Sequence, residues 1–288
     1  MLHLPVVFSN KAFTKEVSPF LMFDYGAPKE FPAARSSKRR GVGQHPHRGF
    51  ETVTIALQGE IQHRDSIGNS GIIGPGECQW MTAGRGIVHE EFHSEDFTRL
   101  GGIFEMCQIW VNLPKKYKMN DPKYQDLKTK DIPCVPLKIH NEKIDVRRDV
   151  STAMKDGYAK VFAGSFDGSD GPAATFTPIN IWVVTMLSTE KEFEFDFIEG
   201  YTTLIFVTKG GIVIEGKTLN MADAALMNRE GTSIVLKPTE IGTSILILSG
   251  KPIDEPIAAR GPFVMNSQQE LIDSMQDYQR GRNGFSHF

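Results

Sequence analysis

His45 and His47 stand two residues apart in Gln44-His45-Pro46-His47, at the entrance to a run of Glu, Thr, Val and Ile ending at Ile55. Such a run reads as a β-strand, in which side chains at i and i+2 leave the same face. Two imidazoles on one face can converge on one ion. Downstream, Gly86-Ile87-Val88-His89-Glu90-Glu91-Phe92-His93 presents His89 and Glu91 at the same spacing. Three imidazoles and a carboxylate on two strands form a mixed nitrogen and oxygen set suited to Fe(II), Ni, Mn or Zn. An isolated His-x-His pair is most often two ordinary histidines. Here four of the chain's eight histidines fall within the two short segments, which favours a metal.

The elements that must position these residues are strands. Glu51 to Leu57 is followed by Gln58-Gly59 and then by Glu60 to Asp65; Ile67-Gly68-Asn69-Ser70-Gly71 and Gly74-Pro75-Gly76 mark further turns. Many short strands at regular turn spacing predict an all-β sandwich or barrel and not βαβ units. Asn112-Leu113-Pro114 closes this half, and the Lys-rich stretch from Lys115 to Pro136 reads as a linker or peripheral extension. A second strand-rich half follows, with Ile181–Met186, Thr203–Val207 and Ser244–Leu248 as core strands. Its Thr208-Lys209-Gly210-Gly211-Ile212 echoes Leu57-Gln58-Gly59-Glu60-Ile61, a faint repeat of strand, glycine turn, strand. No histidine lies between His140 and His287, so only the first half is expected to carry metal chemistry. Ser267-Gln268-Gln269-Glu270 forms a capping box, and Leu271, Ile272, Met275 and Tyr278 recur at helical spacing up to Gly281.

Composition narrows the function. The 288 residues suffice for two domains, and the net charge of −3 gives no reason to expect direct nucleic-acid binding. No apolar run approaches the length of a membrane span, and no leader is evident at Met1-Leu2-His3-Leu4-Pro5. Cys78, Cys107 and Cys134 are odd in number and widely spaced, against a disulfide framework. The expectation is a soluble, cytoplasmic monomer.

His45-x-His47-x3-Glu51-x7-Gly59 is close to the first cupin motif, and Gly84-Arg85-Gly86-Ile87-Val88-His89 stands where the second begins, with Gly84 in place of a proline. The longer match is more specific. His45 to Thr54, Gly59 to Ser66, Gln79 to His89, Gln108 to Pro114, Gly261-Pro262-Phe263-Val264-Met265-Asn266 and Asp277 to Arg282 make the chain resemble the pirin family over nearly its whole length. The resemblance implies a bicupin of two antiparallel, jelly-roll-like β-barrels: residues 1–135 with the metal, 136–260 without ligands, and 261–288 as a C-terminal helix and tail bracing the barrels. It implies Fe(II) held by His45, His47, His89 and Glu91, with Zn, Ni or Mn as other occupants. Glu51, which shares strand parity with His45 and His47, is the carboxylate ligand in many cupins and ranks behind Glu91. His93 shares parity with His89 and reads as a neighbour of the site.

Imidazoles at a metal need partners that fix their tautomer, and Gln44, Gln58, Gln79 and Gln108 are candidates. His63 and Asp65 read first as a hairpin contact near Gly68-Asn69, and as an acid/base pair only second. Phe50, Trp80, Met81 and Trp110 read as core, with some able to line a pocket for an aromatic ligand. The basic run Arg35-Ser36-Ser37-Lys38-Arg39-Arg40 reads as a solvated loop that could guide an anion. Two functions follow from the resemblance. One is a dioxygenase that opens the central ring of a flavonol such as quercetin, with dioxygen as co-substrate, carbon monoxide as a product and Glu91 as general base. The other is a redox-sensing regulator that binds a transcription factor or metabolic enzyme without turnover.

Overall fold

The computed structural model describes residues 2–3, 15–34, 39–142 and 154–285. Arg35 to Lys38 of the basic run therefore lie outside the described residues. Ten strands lead the chain: β1 (Leu2–His3), β2 (Phe20–Phe31), β3 (Gly41–His47), β4 (Phe50–Gln58), β5 (Ile61–Asp65), β6 (Ser70–Ile73), β7 (Glu77–Thr82), β8 (Ile87–His93), β9 (Gly102–Asn112) and β10 (Lys123–Leu127). Strands β2 to β10 build an antiparallel barrel from two sheets, in the orders β10-β7-β4-β9-β2 and β3-β8-β5-β6. The centre of the first sheet is β4, whose Val, Ile and Thr side chains are buried on both faces from Phe50 to Ala56. β-branched residues suit such a doubly covered strand because their stiff side chains pack well on a pleated surface.

Two compact units account for the chain. One is this barrel, Pro19–Thr129, together with the segment from Ile253 onward. The C-terminal helix α2 (Gln268–Gln279) thus belongs with the first barrel and is not a separate body; a short helix α1 (Glu95–Leu100), absent from the sequence expectation, is capped by Ser94 and buries Phe97. Ser267 accepts a hydrogen bond from the Glu270 amide as the capping box requires, and Leu271, Met275 and Tyr278 pack into an apolar cluster with Val88 and Phe285. Ile272 is exposed and does not join that stripe, since a 12-residue helix on a barrel buries only one narrow face.

The second unit holds Lys130–Pro252, Lys15–Ser18 and β1. It is a second antiparallel barrel of seven- and five-stranded sheets, whose central strands Ile179–Met186, Thr202–Lys209 and Thr243–Gly250 contain the three predicted core strands. The fold is therefore the expected bicupin. The faint sequence repeat marks the same corner in each barrel: β4 passes to β5, and Thr202–Lys209 to Gly211–Ile214, from one sheet to the other through Gly59 and Gly210 at φ of 78° and 70°.

The stretch from Lys115 to Pro136 is not a loose linker. Its β10 pairs with β7 along Lys123–Leu127, and Cys134–Pro136 pairs in the second barrel. Lys118, which composition marks as solvated, is buried: its Nζ donates to Gly49 O and Asn112 Oδ1 at 2.6 Å and to Val264 O at 3.0 Å. Three fixed acceptors replace the water a lysine normally keeps. Burial nevertheless lowers its pKa from 10.5 to about 7.

Candidate metal centre

His45, His47 and His89 come together across the β3–β8 pairing, where His45 and His89 are directly opposed. Each offers one ring nitrogen, all within 4.8 Å of one another. His47 and His89 are buried, whereas His45 is half-buried on the outer strand of its sheet next to the exposed Val42, so the group opens to solvent on that side. Placement depends on local backbone choices. Between Val42 and His45 the register shifts, and the His45 Nδ1 lies 2.8 Å from Gly43 O, leaving Nε2 as its free nitrogen. After His47 the chain turns through Gly49 at φ 86°, where a Cβ would stand 2.0 Å from Val264 O, so only glycine fits.

Electrostatics keep the two buried rings, His47 and His89, neutral. Burial, then the neighbouring His45, lowers the His47 pKa from 6.5 to about 3. Burial also drives His89 far down, helped by repulsion from His47, His45 and His63. A neutral imidazole has one lone pair to give. His47 Nδ1 and His89 Nε2 are buried with no hydrogen-bond partner among the described residues. Orphaned buried acceptors cost about 1–3 kcal/mol each, and a cation shared between them removes that cost. The residues present therefore fit a metal ion.

Glu91 leaves β8 on the same face as His89. It is not within the compact nitrogen group; its carboxylate accepts from Thr54 Oγ1 at 3.2 Å and from Gln108 Nε2 at 3.0 Å. Thr54 and Gln108 are register partners on β4 and β9, and in the next rows Thr52 faces Trp110 and Phe50 faces Asn112. This wall is completed by the Phe50 and Trp110 rings, 5.1 and 5.3 Å from His47. The buried Thr52 Oγ1 and both amide atoms of Gln79 on the same face of the sheet also have no partner among the described residues.

Glu51 is elsewhere. The turn at Arg48-Gly49 interrupts the strand, so parity counted from His47 does not carry into β4, and Glu51 lies on the face opposite Thr52 and Thr54. There its carboxyl accepts from Thr82 Oγ1 at 2.7 Å, and burial raises its pKa from 4.5 to about 7. His93 sits among Phe31, Phe97 and Phe104, apart from the triad. Of the glutamines, Gln108 holds Glu91, while Gln58 donates to Glu105. Of the basic run, Arg39 lies over the Phe92 ring and pairs with Glu90, and Arg40 donates to Pro32 O. Cys78 is buried and its thiol is held neutral by burial, which fits inert packing.

The residue that sequence reading undervalued is His63. Its Nδ1 lies 3.4 Å from His89 Nδ1, its Nε2 lies 3.4 Å from Asp65 Oδ2, and its ring stacks on Tyr124 at 4.8 Å. Asp65 also holds the hairpin turn, accepting from the amides of Ile67 and Asn69 and from Asn69 Nδ2. The signal was present: His63-x-Asp65 on β5 repeats the spacing of the metal pair on a strand that neighbours β8.

Arg48 anchors the other flank. Its guanidinium donates to Arg85 O at 2.6 Å, to Asp277 Oδ2 at 2.9 Å and to Ser274 Oγ at 3.3 Å, and lies over the Phe285 ring. The C-terminal segment thus fixes the residue that follows His47.

Comparison with known proteins agrees with this geometry. Residues 4–111 match the pirin family model, and residues 182–284 match the model of the pirin C-terminal cupin domain. A Pseudomonas aeruginosa protein, provisionally named a quercetin 2,3-dioxygenase, is 43% identical over 276 residues, covering 96% of this chain and 90% of its own. Human pirin is 32% identical over 278 residues, covering 94% of this chain and 84% of its own. Among solved structures, quercetin 2,3-dioxygenase from Acinetobacter baumannii superposes with a TM-score of 0.85 at 41% identity, over 97% of this chain and 90% of that one. The first match contains the histidine triad and the second takes in much of the other barrel and the C-terminal helix, and on that agreement of sequence and fold the chain belongs to the pirin family.

Proposed function

We propose that this pirin is a metal-dependent dioxygenase that opens the central ring of a flavonol such as quercetin, consuming dioxygen and releasing carbon monoxide. The observation that carries the reading is the pairing of three clustered imidazoles, two of them buried with nitrogens unpartnered among the described residues, with a carboxylate on the same strand face. His45, His47, His89 and Glu91 would hold Fe(II), with Zn, Ni or Mn as alternative occupants. When bound, such an ion supplies Lewis acidity and a template for oxygen ligands.

The chain's own groups do the rest. Glu91 accepts the flavonol hydroxyl proton onto a carboxylate oxygen; Thr54 and Gln108 aim that carboxylate, which limits its freedom to turn away. Phe50 and Trp110 give a flat apolar wall beside His47 against which a planar aromatic ligand packs and from which water is excluded. Entry is from the half-buried His45. The likeness to dioxygenases named for quercetin supports the substrate class.

The test follows oxygen uptake and carbon monoxide release from quercetin by protein reconstituted with each metal. Turnover in the wild type that is lost in His45→Ala supports the proposal. Absence of turnover in metal-loaded wild type, or equal turnover in His45→Ala, overturns it and leaves the regulatory reading, which uses the same ligands.

A further inference from the structure

We propose that Asp65, through His63, sets the tautomer of His89 and thereby presents its Nε2 lone pair to the metal site. The observation is a chain of three buried groups in line, none of them more than 2% exposed: His89, His63 and Asp65. It rests on the triad being a metal site and is independent of the reaction performed there.

Polarity runs in one direction along the chain. Asp65 Oδ2 can only accept while the carboxylate is ionised, so His63 must place its hydrogen on Nε2. With a single ring hydrogen placed on Nε2, the lone pair of His63 lies on Nδ1. The 3.4 Å contact between the two Nδ1 atoms needs one hydrogen, and it must come from His89. His89 is therefore the Nδ1–H tautomer, and its Nε2, which has no protein partner, carries the lone pair. Stacking of His63 on Tyr124, with ring planes 16° apart, prevents the ring from turning out of line. The turn at Ile67 to Asn69 fixes the carboxylate itself, through two backbone amides on Oδ1 and the Asn69 side chain on Oδ2. His63 and Asp65 are positioning residues, since neither reaches the triad's free nitrogens.

Asp65→Asn is a sharp perturbation because the turn dictates how the amide sits. The Ile67 and Asn69 amides both donate to the Oδ1 position, so the asparagine must keep its oxygen there and turn its NH2 toward His63, with the Asn69 amide turning over to accept. The new donor reverses the chain: His63 takes its hydrogen on Nδ1, and His89 is left with Nε2–H, which blocks metal ligation. Removing an outer partner of a metal-bound histidine typically weakens metal binding about 10–100-fold.

Two readouts test this. Nitrogen-15 spectra of selectively labelled, metal-free protein report the His89 tautomer, and competition against a chelator gives Co(II) and Zn(II) affinity. Expected are Nδ1–H on His89 in the wild type, Nε2–H in Asp65→Asn, and affinity reduced at least tenfold in the variant. A His63→Phe background, which keeps the stack on Tyr124 but cuts the chain, should show no further loss on adding Asp65→Asn. A merely structural role for Asp65 in the turn would lower affinity equally in both backgrounds. That additivity, or an unchanged His89 tautomer in Asp65→Asn, overturns the proposal. Wild type that shows Nδ1–H on His89 yet binds no metal would instead remove the metal-site reading while leaving the tautomer assignment standing.

Discussion

Glu51→Gln separates the carboxylate that many cupins use as a ligand from the role it has here. Glu51 is 1% exposed, and its carboxyl pKa is raised from 4.5 to about 7 because burial disfavours the charge, an effect only partly offset by the hydrogen bond from Thr82. The folded protein therefore keeps a proton that the unfolded chain releases above pH 4.5. Stability from this group is complete below pH 4.5 and is lost as pH rises through about 7. Since a tenfold difference in proton affinity between the two states is worth about 1.4 kcal/mol, the loss approaches about 3 kcal/mol at pH 8 and is under about 1 kcal/mol at pH 5. Glutamine has the same shape, still accepts from Thr82, and has no charge to desolvate. Thermal unfolding of wild type and variant should nearly coincide at pH 5 and separate at pH 8. There the variant should melt higher by several degrees, at about 2–4 °C per kcal/mol for a body of this size. Bound metal, measured by elemental analysis, should be unchanged, because Glu51 leaves β4 on the face opposite the triad. Loss of metal, or a stability gain that does not grow with pH, would refute the reasoning.

Other perturbations address the triad and its supports. Glu91→Ala should abolish stoichiometric metal binding, and Gln108→Leu, which frees one Glu91 oxygen, should weaken it about tenfold in chelator competition. Metal-free protein should lose stability in acid. The unfolded chain takes up a proton below pH 6.5 that buried His47 refuses until about pH 3, so stability is undiminished above 6.5 and falls across that window. The slope is about 1.4 kcal/mol per pH unit, and denaturant titrations at pH 7 and pH 5 of apo protein carrying Glu51→Gln, which removes the opposing titration of Glu51, measure it. Arg48→Lys should cost about 2–3 kcal/mol in urea unfolding, since an ammonium cannot span Arg85 O, Ser274 and Asp277 together.

The histidine triad was legible because strand parity works over short distances: His45 and His47 share one unbroken strand, and two-residue spacing alone predicts a shared face. The same argument failed for Glu51, four residues on, because Arg48 and Gly49 turn the chain between β3 and β4. Composition misled at Lys115 to Pro136. Lysines usually mark solvated segments, yet Lys118 is buried on three backbone and side-chain acceptors contributed by β9 and by segments remote in sequence. Nothing local to Lys118 encodes Gly49 O or Val264 O as partners. His63 was visible as a residue but not as a neighbour of His89, because their meeting depends on the β5–β8 pairing, which sets His63 beside Glu91 and Asp65 beside His89. The helix was readable to its cap, whereas which of its apolar residues pack, Leu271 and not Ile272, depends on the barrel beneath it.

The two barrels share a fold and differ in what fills them, and the difference explains why one holds chemistry. The second is packed with Trp182, Phe193, Phe195, Ile205, Ile245 and Ile247, an apolar core that stabilises by burial and, among the described residues, brings no group of ligand side chains together for an ion. The first gives the corresponding interior to His47, His89, Thr52 and Gln79, whose buried polar atoms lack partners among the described residues. Each such atom costs about 1–3 kcal/mol, so this barrel is less stable than its strand content suggests until something satisfies those groups. Ligation couples directly to that deficit. A ligand that binds only the folded state adds about 4 kcal/mol when present at a thousand times its dissociation constant. Hydrogen exchange with and without Co(II) should therefore show added protection in β3, β4, β7 and β8, and little in Ile179–Met186 or Thr243–Gly250. Equal protection of both barrels would mean that the metal stabilises the chain globally, and the account of a first barrel left polar for its ion would fail.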